Sequence, residues 1–468
     1  MRNIKALGAV TLSLALAACN MAPKYVRPEL PVPTASPQGP AYAAGGGTTA
    51  IVPADTAWRD FFTDARLARV IETALANNRD LRIALANVEQ ARAQYKVQRA
   101  NLLPTVAAGG TATYQDTPFG QTGVSGRSDL YQAQVGISAW EIDLFGRVRN
   151  LSTAAQEQYF ASVETRNAAQ TALIAEVANA WLTMGADQER LRIGRDLEKA
   201  FGQTLALTRA RFAKGIASEL EVRQAQTSYD SARSDIAQAT TLVAQDQNAL
   251  NLLAGTTVAA QDLPEALPQS GATIDNLPAN IASDILLRRP DIAAAEHQLR
   301  SANADIGAAR AAFFPNISLT AAFGTLSMGL SNLFGSGSDF WSVAPTASLP
   351  IFDFGKNKGN LRYAQATYDA MLATYEKSVQ TGFREVADAL ARRGTMTQQM
   401  DAQTSLRDAS RVAYTLSEAR FRAGVDGFLT TLDSQRSLST AEQSLLATRL
   451  TRATNMVELY RAMGGGLK

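Results

Sequence analysis

The sequence predicts a mainly α-helical chain that also supplies four strands to a membrane β-barrel. Three observations lead there. The chain repeats itself at a separation of about 210 residues, each repeat holds two period-two segments, and each repeat holds a helical stretch too long for a globule. The repeat is explicit. Arg99-Ala-Asn-Leu-Leu-Pro104-Thr-Val106 matches Arg310-Ala-Ala-Phe-Phe-Pro315-Asn-Ile317, and upstream Arg79-Asp80-Leu81 matches Pro290-Asp291-Ile292, both at an offset of 211. Ile142-Asp-Leu-Phe145-Gly146-Arg147 matches Ile351-Phe-Asp-Phe354-Gly355-Lys356, and Ala210-Arg-Phe212-Ala-Lys-Gly215 matches Ala419-Arg-Phe421-Arg-Ala-Gly424, both at 209. Two copies of one unit therefore replace the three domains that 468 residues would otherwise suggest. The divisions expected are 1–18 signal peptide, 19–60 tether, 61–270 first repeat and 271–468 second repeat.

Each repeat opens with a helix that a proline stops, the first from near Ala65 to Pro104 and the second from near Leu277 to Pro315. Strands follow, expected at about 105–114 and 131–141 in the first repeat and at about 316–324 and 340–351 in the second. Tyr131, Ala133, Val135, Ile137 and Ala139 are apolar, while Gln132, Gln134, Gly136 and Ser138 alternate with them. The same pattern places Val106, Ala108, Gly110, Ala112 and Tyr114 on one face, Ile317, Leu319, Ala321 and Phe323 on another, and Trp341, Val343, Pro345, Ala347 and Leu349 on a fourth. Each segment is about ten residues, the length a tilted strand needs to cross a bilayer, with aromatics at several ends. A small soluble sandwich, or a β-layer packed on helices, would show the same alternation. After the N-terminal segment no run of 18 apolar residues occurs, so a membrane crossing must use a closed barrel. Four strands are too few, since small barrels need about eight; the barrel must be shared between chains.

From Arg147 no proline or plausible break interrupts the helical pattern until Gly215, roughly 66 residues or about 100 Å. Ile174, Val177, Trp181, Met184 and Leu191 are spaced as a coiled-coil seam, Phe383, Val386 and Leu390 repeat it, and Leu205, Thr208 and Phe212 extend a stripe. Two helical hairpin tips are expected near 212–218 and 421–427, with Gly215 and Gly424 closing one helix and Ser218 capping the next. A plain turn or a docking surface would both look like this.

The N-terminus has basic Arg2 and Lys5, an apolar run from Ala6 to Ala18, and then Cys19. Leu16-Ala-Ala-Cys19 resembles a bacterial lipobox, whose cysteine is acylated (palmitate among the acyl groups) and becomes the mature N-terminus. Asn20 after it implies the outer rather than the inner membrane. One anchor holds weakly, so the body should add to attachment. Residues 20 to 53, rich in Pro, Gly and Thr, read as an extended tether.

Composition excludes several function classes. Net charge is +2, from 45 basic and 43 acidic residues, which gives no case for nucleic acid. One Cys and one His leave no disulfide framework and no Cys-rich zinc site. His297 reads as a packing or surface residue. No catalytic constellation, metal site, cofactor motif or phosphate loop is present in the sequence, so an enzyme is not expected and any energy-requiring step must draw on a partner.

The paired repeats with strands after Leu-Pro and Phe-Pro, together with Asp143-Leu-Phe-Gly-Arg147, Leu349-Pro-Ile-Phe-Asp-Phe-Gly355, Arg288-Arg-Pro-Asp-Ile292, Arg384-Glu-Val-Ala-Asp-Ala-Leu390 and the closing Gly-Gly-Gly-Leu-Lys, resemble the outer-membrane efflux channels of the TolC family. The lipobox resembles its lipoprotein branch. The resemblance implies a homotrimer with a shared 12-stranded β-barrel and a periplasmic α-barrel. It also implies a periplasmic adaptor (membrane fusion) protein, an inner-membrane pump of the RND type and outer-membrane lipid as partners. It places Tyr131, Ala133, Val135, Ile137 and Ala139 toward lipid, and adaptor docking on Gly215, Ile216, Ala217, Ser218, Gly424 and Val425. It places a periplasmic gate on Leu429 and Asp433, with Arg436 and Arg420 as candidate partners of Asp433. In the first repeat Leu220 keeps the leucine and Gln224 replaces the aspartate, so one charged ring is expected. The functions left open are a passive exit duct of a tripartite drug exporter, the duct of a type I protein secretion system, and a lipid-anchored coiled-coil scaffold without a pore.

Overall fold

A computed structural model describes residues 20–35, 37–42, 53–117, 126–269, 272–275, 277 and 282–467; Cys19 lies outside them. The order is α1 (Trp58–Phe61), α2 (Ala65–Asn77), α3 (Arg79–Ala100), β1 (Val106–Thr117), β2 (Gly126–Glu141), α4 (Arg147–Ala213), α5 (Glu219–Ala254), α6 (Pro290–Ala311), β3 (Asn316–Ser327), β4 (Asp339–Ser348), α7 (Lys356–Arg422) and α8 (Phe428–Ala462). Two compact units interleave the repeats: one holds residues 1–29, 86–163 and 294–376, the other 30–85, 164–293 and 377–468.

The first opening helix starts at Ala65 as expected, but local chemistry divides it and moves the start of the second. The first is two helices, because Asn78 is extended, its Oδ1 accepts from Leu81 N and its Nδ2 donates to Leu253 O. The second begins at Pro290 rather than near Leu277; proline is favoured at the first helical position and pushes the residue before it out of the helical region.

In the first unit the strands form one antiparallel sheet in the order β1-β2-β3-β4. Its register unites the four alternating patterns. Val106 faces Ile137, Ala108 faces Val135 and Ala112 faces Tyr131. Val135 in turn faces Phe323, which faces Trp341, and Ile137 faces Ala321, which faces Val343. All four apolar sets thus share one face, and Gln132, Gln134, Ser318, Thr320, Ser342 and Thr346 share the other. Ala139 is the exception. A bulge lies between Ile137 and Trp140, Ala139 has φ +47°, and Trp140 pairs with Leu319 on the apolar side. The bulge takes Ala139 out of the alternation and sets Trp140 in its place. The strands also run further toward the loops than expected, and β4 stops at Ser348, before Pro350, which lacks the donor to extend a ladder.

Each strand pair passes into a long helix by the same device. Gly146 and Gly355 have φ of +81° and +87°. The Asp143 carboxylate accepts from Arg149 N at 2.8 Å, and Asp353 accepts from Asn357 N at 2.9 Å.

The segment read as a tether is extended but docked. In the first unit Arg27 and Arg300 both bind the largely buried Glu296, whose carboxyl burial pushes up and these two guanidinium groups pull below its usual range. Tyr25 donates to the same carboxylate, and its hydroxyl, partly desolvated beside that charge, is pushed up to about 12. Asn303 Nδ2 donates to Pro23 O at 2.9 Å. In the second unit the extended run continues, with Ala35 bridged to Ala282 and Ser283 N donating to Thr34 O. His297, paired with Glu157 at 2.6 Å, joins α6 to the start of α4.

The second unit is built on the expected seam. Ile174, Val177, Trp181, Met184 and Leu191 are buried, as are Val386 and Leu390, with Phe383 half-buried. Trp181 Nε1 donates to Asp262 O, and Phe61 stacks on Tyr460 at 3.9 Å. Arg289 is buried and held by Asp291, Glu385 and the Ala462 carbonyl. No helix of the described residues is long and apolar enough to cross a membrane.

Candidate gate, helical tips and membrane face

The two tips sit together in the second unit. At the first, Gly215 has φ +74°, its N–H donates to Phe212 O, and Ile216 N reaches back to Arg211 O at 2.9 Å. At the second, Gly424 has φ +76°, and the matching bonds run to Phe421 O and from Val425 N to Arg420 O. These are two copies of one helix stop in which only glycine adopts the required backbone without strain. Ser218 then caps α5 in a capping box: its Oγ accepts from Glu221 N, and the Glu221 carboxylate accepts from Ser218 N. The second tip lacks this, since Gly427 occupies the cap position.

Beneath the tips, Phe421, Phe428, Leu432, Leu205 and Ala225 form a buried cluster. Arg211 lies 4.8 Å over the Phe421 ring and donates to the Phe421 carbonyl at 3.1 Å, capping the end of α7. Phe212 does not continue the inner stripe: it is 46% exposed, whereas its repeat counterpart Phe421 is 3% exposed. Ile216 and Val425 also face solvent, beside exposed Gly215, Ser218 and Gly424 and half-buried Ala217. The tips therefore offer an apolar surface seated on a rigid base.

Leu429 and Asp433, one helical turn apart on α8, are both exposed, while Leu432 between them is buried in the tip core. Among the described residues none forms an ion pair with Asp433. Arg420 does not serve it within the chain: its guanidinium is bidentate to Asp426, at 2.6 and 2.9 Å, which holds the Asp426 carboxyl below its usual range. Arg436 is exposed and lines a cleft of about 580 Å³ with Arg190, Phe201, Asp235 and Gln443. Sequence reasoning missed Asp426 and Arg211. Asp426 could have been found from the turn itself, because a helix stop at Gly424 folds positions 420 and 426 onto each other, whereas Arg211 meets Phe421 across 210 residues of sequence and left no local signal. No His/Cys/Asp/Glu group among the described residues has the arrangement of a metal site.

A sheet with one apolar face, continuous long helices and paired helical tips defines a channel-forming protein of the bacterial outer membrane. The model of the family described as outer membrane efflux protein matches residues 70–256 and 281–465, one match for each repeat, and the chain belongs to that family. It is 46% identical over 462 residues to the probable efflux pump outer membrane protein TtgC of Pseudomonas putida, covering 97% of this chain and 95% of the relative. It is 42% identical over 463 residues to the outer membrane protein OprJ of Pseudomonas aeruginosa, covering 98% and 95%. Among solved structures it is similar to the open state of the MtrE outer membrane channel of Neisseria gonorrhoeae, with a TM-score of 0.87 and 39% identity over 96% of this chain and 99% of that one. A membrane protein from Pseudomonas aeruginosa gives a TM-score of 0.89 at 40% identity, covering 95% and 100%. The fold is therefore that of the TolC-type channels, in which long helices build an α-barrel and four strands per chain enter a shared trimeric 12-stranded β-barrel. The chain is an outer membrane efflux channel component with a periplasmic extension.

Proposed function

We propose that this chain, as a homotrimer anchored through an acylated Cys19, is the passive exit duct of a tripartite efflux system for drugs or toxic small molecules. The divisions 1–18, 19–60, 61–270 and 271–468 are retained as leader, anchored segment and two repeats. Tyr131, Ala133, Val135, Ile137 and Trp140 face lipid, and the Gln/Ser/Thr face lines the pore. Gly215, Ile216, Ala217, Ser218, Gly424 and Val425 meet a periplasmic adaptor, which links the duct to an inner-membrane pump of the RND type. The duct itself carries out no chemistry. Relatives named as toluene, solvent and antibiotic efflux pump components favour small molecules over secreted proteins as cargo.

The observation that carries the gate is the shared exposure of Leu429 and Asp433 on one face of α8, with Asp433 lacking an ion pair among the described residues. Three such faces around an axis would bring three carboxylates and three leucines together, closing the duct until docking spreads the helices. Planar-bilayer conductance tests this. Wild type is expected to give small, flickering currents that grow in Asp433→Ala; equal conductance in the two would move the gate elsewhere.

A further inference from the structure

The residues that follow Cys19 are held beside a cationic cleft in the first unit. Arg310 donates to the Met21 carbonyl at 3.4 Å, Asn303 donates to the Pro23 carbonyl at 2.9 Å, and Asn20 Oδ1 accepts from Ala22 N at 3.0 Å. Ala22 lies so close to α6 that a Cβ on Gly307 would sit 2.7 Å from its Cα. With Ala22 pinned there, Asn20 borders a cleft of about 450 Å³ between the end of α3 and the start of α4. Tyr95, Arg99 and Leu102 line one side, and Arg149 and Thr153 the other. That volume lies within the usual range for a small-ligand site, about 300–1,000 Å³.

The chemistry of the cleft suits an anion. Its lining holds no carboxylate. Arg99 is exposed and forms no ion pair among the described residues. Arg149 is held by Asp143 at 3.3 Å, which fixes its guanidinium at the cleft wall. Asn150, 3% exposed, also lines the cleft, and its buried Nδ2 has no hydrogen-bond partner. A buried donor in that state costs free energy until an acceptor reaches it. The depth suits a lipid headgroup. Arg149 lies about 3 Å along the α4 axis from Arg147, and Thr153 about 9 Å, while the interfacial layer of a bilayer is about 5–8 Å deep on each side. Asn20 follows Cys19 directly, and consecutive Cα atoms are about 4 Å apart, so acyl chains on Cys19 would enter the membrane beside the cleft.

We propose that this cleft binds the phosphate of an anionic phospholipid from the periplasm-facing leaflet, one per chain, beside the acyl anchor. Arg99 supplies the uncompensated charge. Arg149 and the Asn150 amide supply further donors, and half-buried Leu102 meets the glycerol and the first acyl carbons. With no carboxylate in the lining, nothing neutralises an ammonium group, so phosphatidylglycerol is favoured over phosphatidylethanolamine. The bound lipid adds the second point of attachment that a weakly held single anchor needs. This inference rests on the acylated Cys19 proposed above and names the lipid group that meets it.

Native mass spectrometry of the full chain, extracted from outer membranes and titrated with phosphatidylglycerol or phosphatidylethanolamine, tests it. Wild type is expected to retain one phosphatidylglycerol per chain in preference to phosphatidylethanolamine. Arg99→Gln is expected to weaken that retention about tenfold, the loss of one charge-assisted hydrogen bond. Thr153→Glu, which sets a carboxylate in the cleft, is expected to abolish it. Lys96→Gln removes the same charge one turn earlier on α3, outside the cleft lining, and should match wild type. Equal retention by wild type and both cleft variants, or equal retention of the two lipids, would overturn the site. Inorganic phosphate that displaces phosphatidylglycerol at matched concentration would overturn the lipid assignment in favour of a free-phosphate site. The intact mass reads the anchor separately: an unacylated Cys19 with the Arg99 effect intact would overturn the anchor reading and leave the site standing.

Discussion

Arg420 grips Asp426 across the second helical tip with two hydrogen bonds, and this pair occupies the arginine that the sequence offered as a partner for Asp433. In the gate proposed above, Asp433 would therefore meet its symmetry mates without a cation from its own tip. Asp433→Ala and Arg420→Ala should separate cleanly. The first is expected to raise bilayer conductance. The second is expected to leave it near wild type while raising hydrogen exchange of Val425 N, whose acceptor is the Arg420 carbonyl.

The first tip depends on Ser218. Its capping box satisfies two amide donors at the start of α5, and Ser218→Ala should cost about 1 kcal/mol of local stability. Faster exchange of the Glu221 amide would register the loss. Gly215→Ala adds the strain of a Cβ at φ +74°, again about 1 kcal/mol. Adaptor affinity should fall in both variants if docking uses a preformed tip, and only exchange should change if it does not.

Burial around Arg289 gives a third expectation. The side chain is 4% exposed and is bound by Asp291, Glu385 and the Ala462 carbonyl, so Arg289→Ala takes the cation from Asp291 and the donor from that carbonyl, while Glu385 keeps Arg461 at 3.4 Å, and should cost about 2 kcal/mol in detergent unfolding. The Asp291 carboxyl feels two opposed effects: burial pushes it up, and the Arg289 hydrogen bonds and charge overcome that and leave it below its usual range. A depressed folded pKa means stability that is complete above about pH 4 and is lost as pH falls through the folded value. Asp291→Asn should flatten the acid limb of the unfolding midpoint against pH.

Asp246 has the opposite sign. Partial burial, and next the neighbouring Asp187 charge, push its carboxyl up to about 6. The folded state then holds a proton that the unfolded chain has released, so stability falls as pH rises from about 4 to about 6 and is level above that. Asp246→Asn should raise the unfolding midpoint at pH 7 by the equivalent of about 1 kcal/mol, after discounting for solvent screening, and remove the slope in that window.

The sequence carried the architecture where chemistry is periodic or repeated. The alternation in Tyr131–Ile137 and its three counterparts named the residues that share one sheet face, and the unbroken run from Arg147 named a single helix of 67 residues. Local exceptions were not legible. Nothing in the alternating pattern marks Ala139, because a bulge reflects the pairing of β2 with β3, a contact about 180 residues distant in sequence. Asn78 looked like an ordinary helical residue until Leu81 and Leu253 supplied partners for both ends of its amide. Phe212 and Phe421 occupy matching places in the repeat, yet only Phe421 meets Phe428 and Arg211, so sequence similarity alone could not tell which one is buried. The docked segment near Tyr25 and Arg27 was hidden by its Pro-rich composition, and Glu296, which holds it, lies about 270 residues downstream.

Gly136 and Gly324 offer the last prediction, on the seam where the two repeats join. A Cβ on Gly324 would lie 2.1 Å from the Ala133 carbonyl oxygen, and one on Gly136 would lie 2.4 Å from the Ala321 carbonyl oxygen. Both obstacles are backbone, which a rotamer change cannot move, so β2 and β3 approach more closely than a side chain at Gly136 or Gly324 permits. The close approach sits two residues from the bulge that turns Trp140 onto the apolar face, and both features tighten the coil of the sheet. Gly324→Val should therefore force the two strands apart or slip their register, and a one-residue slip would turn the apolar set of the second repeat to the polar side. The expected result is chain that reaches the outer membrane but fails to form heat-resistant trimers, with folded yield reduced at least severalfold. Gln132→Val, on the same face of the inner strand β2 where a Cβ is already accommodated, is the matched control and should assemble normally. Equal trimer yield from the two variants would show that the seam relaxes and that its glycines serve no packing role.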